Sequence, residues 1–377
     1  MAPTTAPPLL SPRALNRATL DRQLLLRRSP LGAEQAVRHL VGLQAQNTKP
    51  PYHALAARLD GFRPEELSGL MESRAVARIV SLRSTVHTHT AEDAVVLRRL
   101  VQAGAIDREL RMFRKGLDGV DLDRLAGLAT AYVEERPRTP KELRGHLLEV
   151  WPDADPQALT IAARCLLLMV QVTPRGLWRR SGQVALTTAA AWFGDRGPLD
   201  TAVDDTTLDA TVLRYLGAFG PASVQDMQTW CGLTRLRPAF ERLRSDLLVF
   251  RDERGTELFD LPDAPRPDED TPAPPRLLPE FDNLLLSHAD RTRVVPADLR
   301  GRTWTGNQSH PVFLLDGFLA GLWRLEEART RTTLVLEPFR PLTRPQRTAL
   351  LAEAEYTLSL LGPEGVPYEI VLSEGER

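Results

Sequence analysis

The sequence predicts an α+β protein: tandem winged-helix (helix-turn-helix) domains followed by a small C-terminal β-barrel. Three observations predict it. Helical segments opened by hydroxyl or acidic caps end repeatedly in short β-branched, turn-punctuated stretches. This outline recurs three times before residue 262 without a strict sequence period. A Pro/Asp-rich stretch then separates it from a strand-dominated C-terminal part.

In chain order, Ser11-Pro12 is a helix start, and apolar residues from Ala14 to Leu26 follow at helical spacing until Ser29-Pro30. Ala33 to Leu43 reads as a second helix, Pro51 to Leu59 and Pro64 to Ser73 as two more. Val76 to Thr90 is a strand pair, and Thr90 caps the next helix. These form a first winged-helix domain over 10–120. The second, over 121–200, has helices at Leu122–Glu135, after Thr139-Pro140 and at Ala158–Val170, then a hairpin over Leu177–Leu186 with a Ser-Gly turn. The third, over 201–262, has Leu208–Phe219 ended by Gly220-Pro221, Val224–Trp230 and Arg235–Arg244 as a helix-turn-helix, and a wing between Leu247 and Leu261. A linker spans 263–275. Over 276–377 the predicted barrel carries strands at Asn283–Ser287, Arg293–Val295, Val312–Leu315, Phe318–Trp323, Thr332–Glu337 and Tyr368–Leu372. Asp316-Gly317 is its hairpin turn, and a terminal helix runs from Thr343 to Leu361.

The 377 residues suffice for two to four domains, and 42% hydrophobic with 26% charged residues is ordinary for a soluble globular chain. No apolar run approaches the roughly 18 residues of a membrane span, and the Pro/Thr-rich N-terminus lacks signal-peptide character. Two distant cysteines, Cys165 and Cys231, form no disulfide framework, in keeping with a cytoplasmic (nucleoid-associated) protein. The net charge of −1 does not by itself announce a nucleic-acid partner. Lysine occurs only at Lys49, Lys115 and Lys141; arginine supplies the other cations. That bias fits both a GC-rich genome and phosphate contact.

Nucleotide-binding glycine loops, the GxSxG elbow and HExxH are all absent. His87 and His89 share one face of a strand, but no Cys or further His falls at ligand spacing, so no metal site is expected. Two neutral amides, Gln44 and Gln46, sit two positions apart where the second predicted helix ends, with Pro50-Pro51 beyond. Amides both donate and accept hydrogen bonds. At an unwinding helix end such a pair can converge on one small ligand such as a water. The segment from Phe281 to Arg293 reads equally as a barrel strand with a polar exit and as an arginine loop against phosphate. Asp316-Gly317 is either a plain turn or a tip that probes a DNA groove.

Taken together, Gly42-Leu43-Gln44-Ala45-Gln46, Leu82-Arg83-Ser84-Thr85-Val86-His87 and Leu278 to Arg291 resemble the bacterial winged-helix DNA glycosylases of the AlkZ/YcaQ type, most nearly the AlkZ branch. The likeness runs from about Ser11 to the C-terminus. It implies a cofactor-independent monofunctional glycosylase that excises N7-alkylguanine from double-stranded DNA. Some members of the family unhook interstrand crosslinks made by natural-product alkylators, as self-resistance. It also implies catalytic roles for Gln44 and Gln46; the YcaQ branch has aspartate where Gln46 stands. DNA contacts are expected from Lys49, Arg83, Thr85, His87, His288, Arg291, Arg293, Asp316 and Gly317, and the chain is expected to act as a monomer, off the membrane. The alternative is a non-catalytic winged-helix DNA-binding protein or transcription regulator.

Overall fold

The computed structural model describes residues 7–194 and 202–373. In the first unit, Ser11 accepts a hydrogen bond from the Ala14 amide and starts α1 (Pro12–Arg22). There follow α2 (Ala33–His39), β1 (Leu43–Gln44), α3 (Pro50–Arg58), α4 (Pro64–Glu72), β2 (Val76–Val80), β3 (Val86–Thr90), α5 (Ala91–Leu100) and, after a π turn at Gln102–Ile106, α6 (Asp107–Met112). The second unit holds α7 (Leu122–Glu135), α8 (Pro140–Leu148), α9 (Pro156–Leu166), β4 (Met169–Gln171), β5 (Leu186–Thr188) and α10 (Ala189–Phe193). The third holds α11 (Asp205–Phe219), α12 (Val224–Cys231), α13 (Arg237–Arg242) and the antiparallel pair β6 (Leu248–Arg251) and β7 (Glu257–Asp260). Reciprocal Thr139–Glu142 and Ser223–Asp226 hydrogen bonds cap α8 and α12.

Three expectations in the first half fail. The second helix stops at His39, because Val41 and Gly42 take positive φ values of 55° and 97° and turn the chain into β1. The predicted hairpin over Leu177–Leu186 does not form. Leu177 and Trp178 spend their apolar surface against the first unit, with Trp178 4.8 Å from the Tyr52 ring. The strands that do form, β4 and β5, flank that segment. They join β1, β3 and β2 in one antiparallel sheet of order β1-β3-β2-β4-β5. Val170, placed in a helix by its apolar run, therefore lies in β4 opposite Ile79. The expected division near residue 120 does not interrupt this sheet.

The C-terminal unit comprises β8 (Arg276–Leu278), α14 (Asn283–Leu286), β9 (Trp304–Thr305), β10 (Gln308–Ser309), β11 (Val312–Leu315), β12 (Phe318–Glu327), β13 (Thr332–Pro338), α15 (Arg344–Leu361) and β14 (Tyr368–Leu372). Its main sheet is open, of order β14-β13-β12-β11-β8, and is not the closed barrel expected. Closure is unnecessary because both faces are already covered. Leu350, Ala354 and Leu358 of α15 pack on Phe313, Trp323 and Leu336. On the other face, Leu278, Val312 and Leu314 meet Leu20, Leu25, Leu26 and Ala57 of the first unit. Asn283–Leu286, expected as strand, is helical, with Asp282 capping the Leu284 amide. Arg293–Val295 is a turn in which the amides of Val294 and Val295 both donate to the Arg291 carbonyl. The 263–275 linker is tied down by Arg13 and Arg17, which donate to the carbonyls of Glu269 and Thr271 at 2.8 and 2.6 Å.

Candidate active site

The glutamines lie on β1 and its extension, not at a helix end. Leu43 and Gln44 pair with Thr88 and His87 of β3, and the Ala45 amide donates to the Val86 carbonyl at 2.8 Å. Ala45 enters the core with Val80, Leu82 and Val86; Gln44 is buried against Arg83, whereas Gln46, past the end of β1, is exposed and lines a cleft with Val80 and Val86.

Two side chains fix this short stretch. Asn283 donates from Nδ2 to the Gly42 carbonyl at 2.7 Å. Arg78, buried on β2, donates to the Ala45 carbonyl at 2.9 Å and the Asn47 carbonyl at 3.3 Å, holding the backbone on both sides of Gln46. Burial lowers the Arg78 pKa to about 10, with Arg175 adding repulsion, so it is still a cation at neutral pH. Gly42 is required where it stands. A Cβ there would lie 2.2 Å from the buried His89 ring.

Arg83 donates to Gln44 Oε1 at 2.7 Å, to His87 Nε2 at 3.3 Å, and to the Trp230 carbonyl at the end of α12. Burial again lowers its pKa to about 10, and Arg291 contributes repulsion. The turn carrying it is strained: Arg83 and Ser84 have φ of 54° and 59°. A Ser84–Glu109 hydrogen bond helps to hold it. His87 donates from Nδ1 to the Thr85 carbonyl at 3.0 Å, leaving Nε2 as the acceptor for Arg83. Burial, then Arg83 and His89, keep His87 neutral.

Gln44 is 7% exposed, whereas Gln46 is open to solvent at the lip of a cleft of about 600 Å³ between the first and second units. Val80, Val86, Phe113 and Ile161 give this cleft an apolar lining; Arg144, Arg164 and Gln171 add polar groups. Its apolar area and the lining amides of Gln46 and Gln171 suit a large organic group with a few hydrogen-bonding positions.

The other expected contacts divide. Arg83, Thr85 and His87 gather around Gln44, but all three are occupied internally; the Thr85 hydroxyl donates to the Leu82 carbonyl at 3.1 Å. His288 is buried, donates to the Phe219 carbonyl at 2.9 Å, and is held well below the usual imidazole range by burial. Arg293 is buried too, bonded to the Pro221 carbonyl and Thr19. His288 is enclosed, while Arg293, 6% exposed, edges a cleft with Asp226 and Arg254; both side chains are committed to internal carbonyls. Asp316-Gly317 is a turn docked on α1, with Asp316 paired to Arg13 and Arg17, and not a free tip. Lys49 is exposed and paired with Glu327. Arg291 is half-buried; its side chain makes no hydrogen bond or ion pair among the described residues, and it lines a second cleft with Arg254, Arg300 and Trp304. Among the described residues no three His, Cys, Asp or Glu side chains gather to hold a metal, and no helix is long and apolar enough to cross a membrane. Arg78 and Asn283 went unnoticed in the sequence: arginine is everywhere, and Asn283 reads as one polar residue in a strand.

The fold and site define an α+β protein that presents the Gln46 amide at a cleft lined in part by arginines. The chain belongs to the AlkZ-like DNA glycosylase family, whose pattern matches residues 37–359. Among curated proteins it is similar to the interstrand DNA cross-link repair glycosylase of Streptomyces sahachiroi, 24% identical over 373 residues, covering 93% of this chain and 97% of the relative. Among solved structures it is similar in fold to the S. sahachiroi DNA glycosylase AlkZ, with a TM-score of 0.79 and 21% identity, covering 96% of this chain and all of that one.

Proposed function

We propose that this glycosylase excises N7-alkylguanine carrying a bulky substituent and unhooks the crosslinks such agents form. The helix-plus-hairpin units are read as winged helices that grip the duplex. The carrying observation is the exposure of Gln46 at the lip of a cleft with apolar walls, two residues from the rigidly held Gln44. N7 alkylation leaves guanine cationic, so the base already departs readily. Cleavage builds positive charge on the sugar, and a placed water with nearby dipoles is then worth more than a strong base. Gln46 supplies such a dipole. Neither amide takes a proton at neutral pH, and the proton lost by water passes to solvent or product. A base tied to both strands cannot swing fully out of the helix, as free target bases do, and an open cleft accepts it in place.

The test incubates a duplex bearing one N7-alkylguanine with protein, then cuts abasic sites with alkali. Wild type should give the cleaved strand, and Gln44→Ala/Gln46→Ala should reduce it at least about 100-fold. Absence of cleavage by wild type, with tight binding to one undamaged sequence, would instead establish a regulator.

A further inference from the structure

We infer that Arg83 is a positioning residue for Gln44, fixing its amide with the oxygen turned inward and the N–H₂ edge as the one offered to bound DNA. This rests on the glycosylase reading and adds a polarity to it. A guanidinium has donors only, so the amide atom 2.7 Å from it must be oxygen; the flipped amide would set donor against donor. Arg83 cannot swing aside. Its other nitrogen is held by the Trp230 carbonyl of the third unit, and its position is set by two consecutive left-handed residues, Arg83 and Ser84. Strain of that kind persists only where surrounding contacts enforce it and is concentrated at working sites. Here the enforcing contacts are specific: Ser84 to Glu109, Thr85 Oγ1 to the Leu82 carbonyl, and Arg83 to Trp230. The π turn Gln102–Ile106 packs against the same segment.

The two glutamines are thereby unlike. Among the described residues Gln46 Oε1 receives only a long 3.4 Å contact from the Val86 amide, and its side chain is exposed. Gln44 is locked as a donor, suited to an acceptor oxygen or nitrogen of the damaged nucleotide, and poorly suited to face a cationic sugar. Gln46 remains the partner for the attacking water. Because Arg83 also grips α12, the lock spans the first and third units.

A double-mutant cycle on single-turnover excision from an N7-alkylguanine duplex tests the assignment, with duplex affinity measured alongside. Arg83→Met should slow excision about 100-fold while leaving affinity unchanged, as expected for a displaced catalytic group. In a Gln44→Ala background the same substitution should cost nothing further. Equal costs in both backgrounds, or parallel losses of rate and affinity, overturn the assignment and make Arg83 a separate DNA anchor. If Arg83→Met fails to fold, Arg83→Lys keeps the charge but cannot span Gln44 and Trp230 together. It should show the same loss of rate without loss of affinity, and full activity overturns the assignment. A wild-type protein that forms no abasic sites overturns the glycosylase reading and this assignment with it; the other adverse outcomes overturn this assignment alone.

Discussion

At the scale of single residues, the site depends on positions that leave no room for alternatives. Gly42 has φ of 97°, and its missing Cβ is the space that the His89 ring occupies. Gly42→Ala should cost about 1–3 kcal/mol, read as a lower denaturation midpoint with an unchanged m-value. An unchanged midpoint would mean that the His89 ring moves freely, and that the turn before Gln44 is not its constraint. The glutamines themselves were visible in the sequence, but their significance came from the family likeness and not from spacing. Arg78 and Arg83 were illegible for a simpler reason. Their work is defined by which carbonyl or amide they face, and a chain rich in arginine offers no local mark of that.

Elements were legible where their signals were local. Ser11, Thr139 and Ser223 cap helices where their side chains announced it, and the β6–β7 and β11–β12 hairpins formed at their predicted turns. Pairings between distant segments were not legible. β4 finds its partner β2 about ninety positions back, and β1 is only two residues long, too short for any periodic signal. The β11–β12 turn illustrates how tertiary contact reassigns a local feature. Asp316 and Gly317 form the predicted turn, yet a Cβ on Gly317 would lie 2.4 Å from Asn16 Oδ1 and 2.6 Å from Leu20 Cδ1. Gly317→Val should therefore lower the melting temperature and leave duplex affinity, measured below that temperature, unchanged. Weaker DNA binding at full thermal stability would restore this turn as a groove probe.

For the whole molecule, several ionisable groups are buried in forms that acid will oppose. Burial lowers His53 and His89 from the usual 6.5 to about 4, with Lys49 adding to the effect at His53. His87 and His288 shift in the same direction. In the unfolded chain these imidazoles bind protons below about pH 6.5, whereas the folded chain resists protonation until about pH 4. Unfolding thus takes up protons, and stability falls as pH drops through that window while remaining full above it. Denaturation midpoints measured from pH 8 to pH 4 should be level first and then decline. Midpoints that stay level to pH 4 would refute neutral burial of the group. A second whole-molecule feature is the buried Arg58–Asp282 pair, which joins α3 to the segment preceding α14 with both side chains fully enclosed.

The sheet that runs from β1 to β5 has a consequence for how such a protein diversifies. Its strands come from both sides of residue 120, and the walls of the Gln46 cleft come from the same two units. Neither unit is a cassette that recombination can exchange alone, because a transplanted half would arrive with an unmatched strand register and half a cleft. On the proposed reading of the cleft, a changed substrate preference requires point substitutions along its walls, because β1 cannot be moved without the partner strands that pair with it.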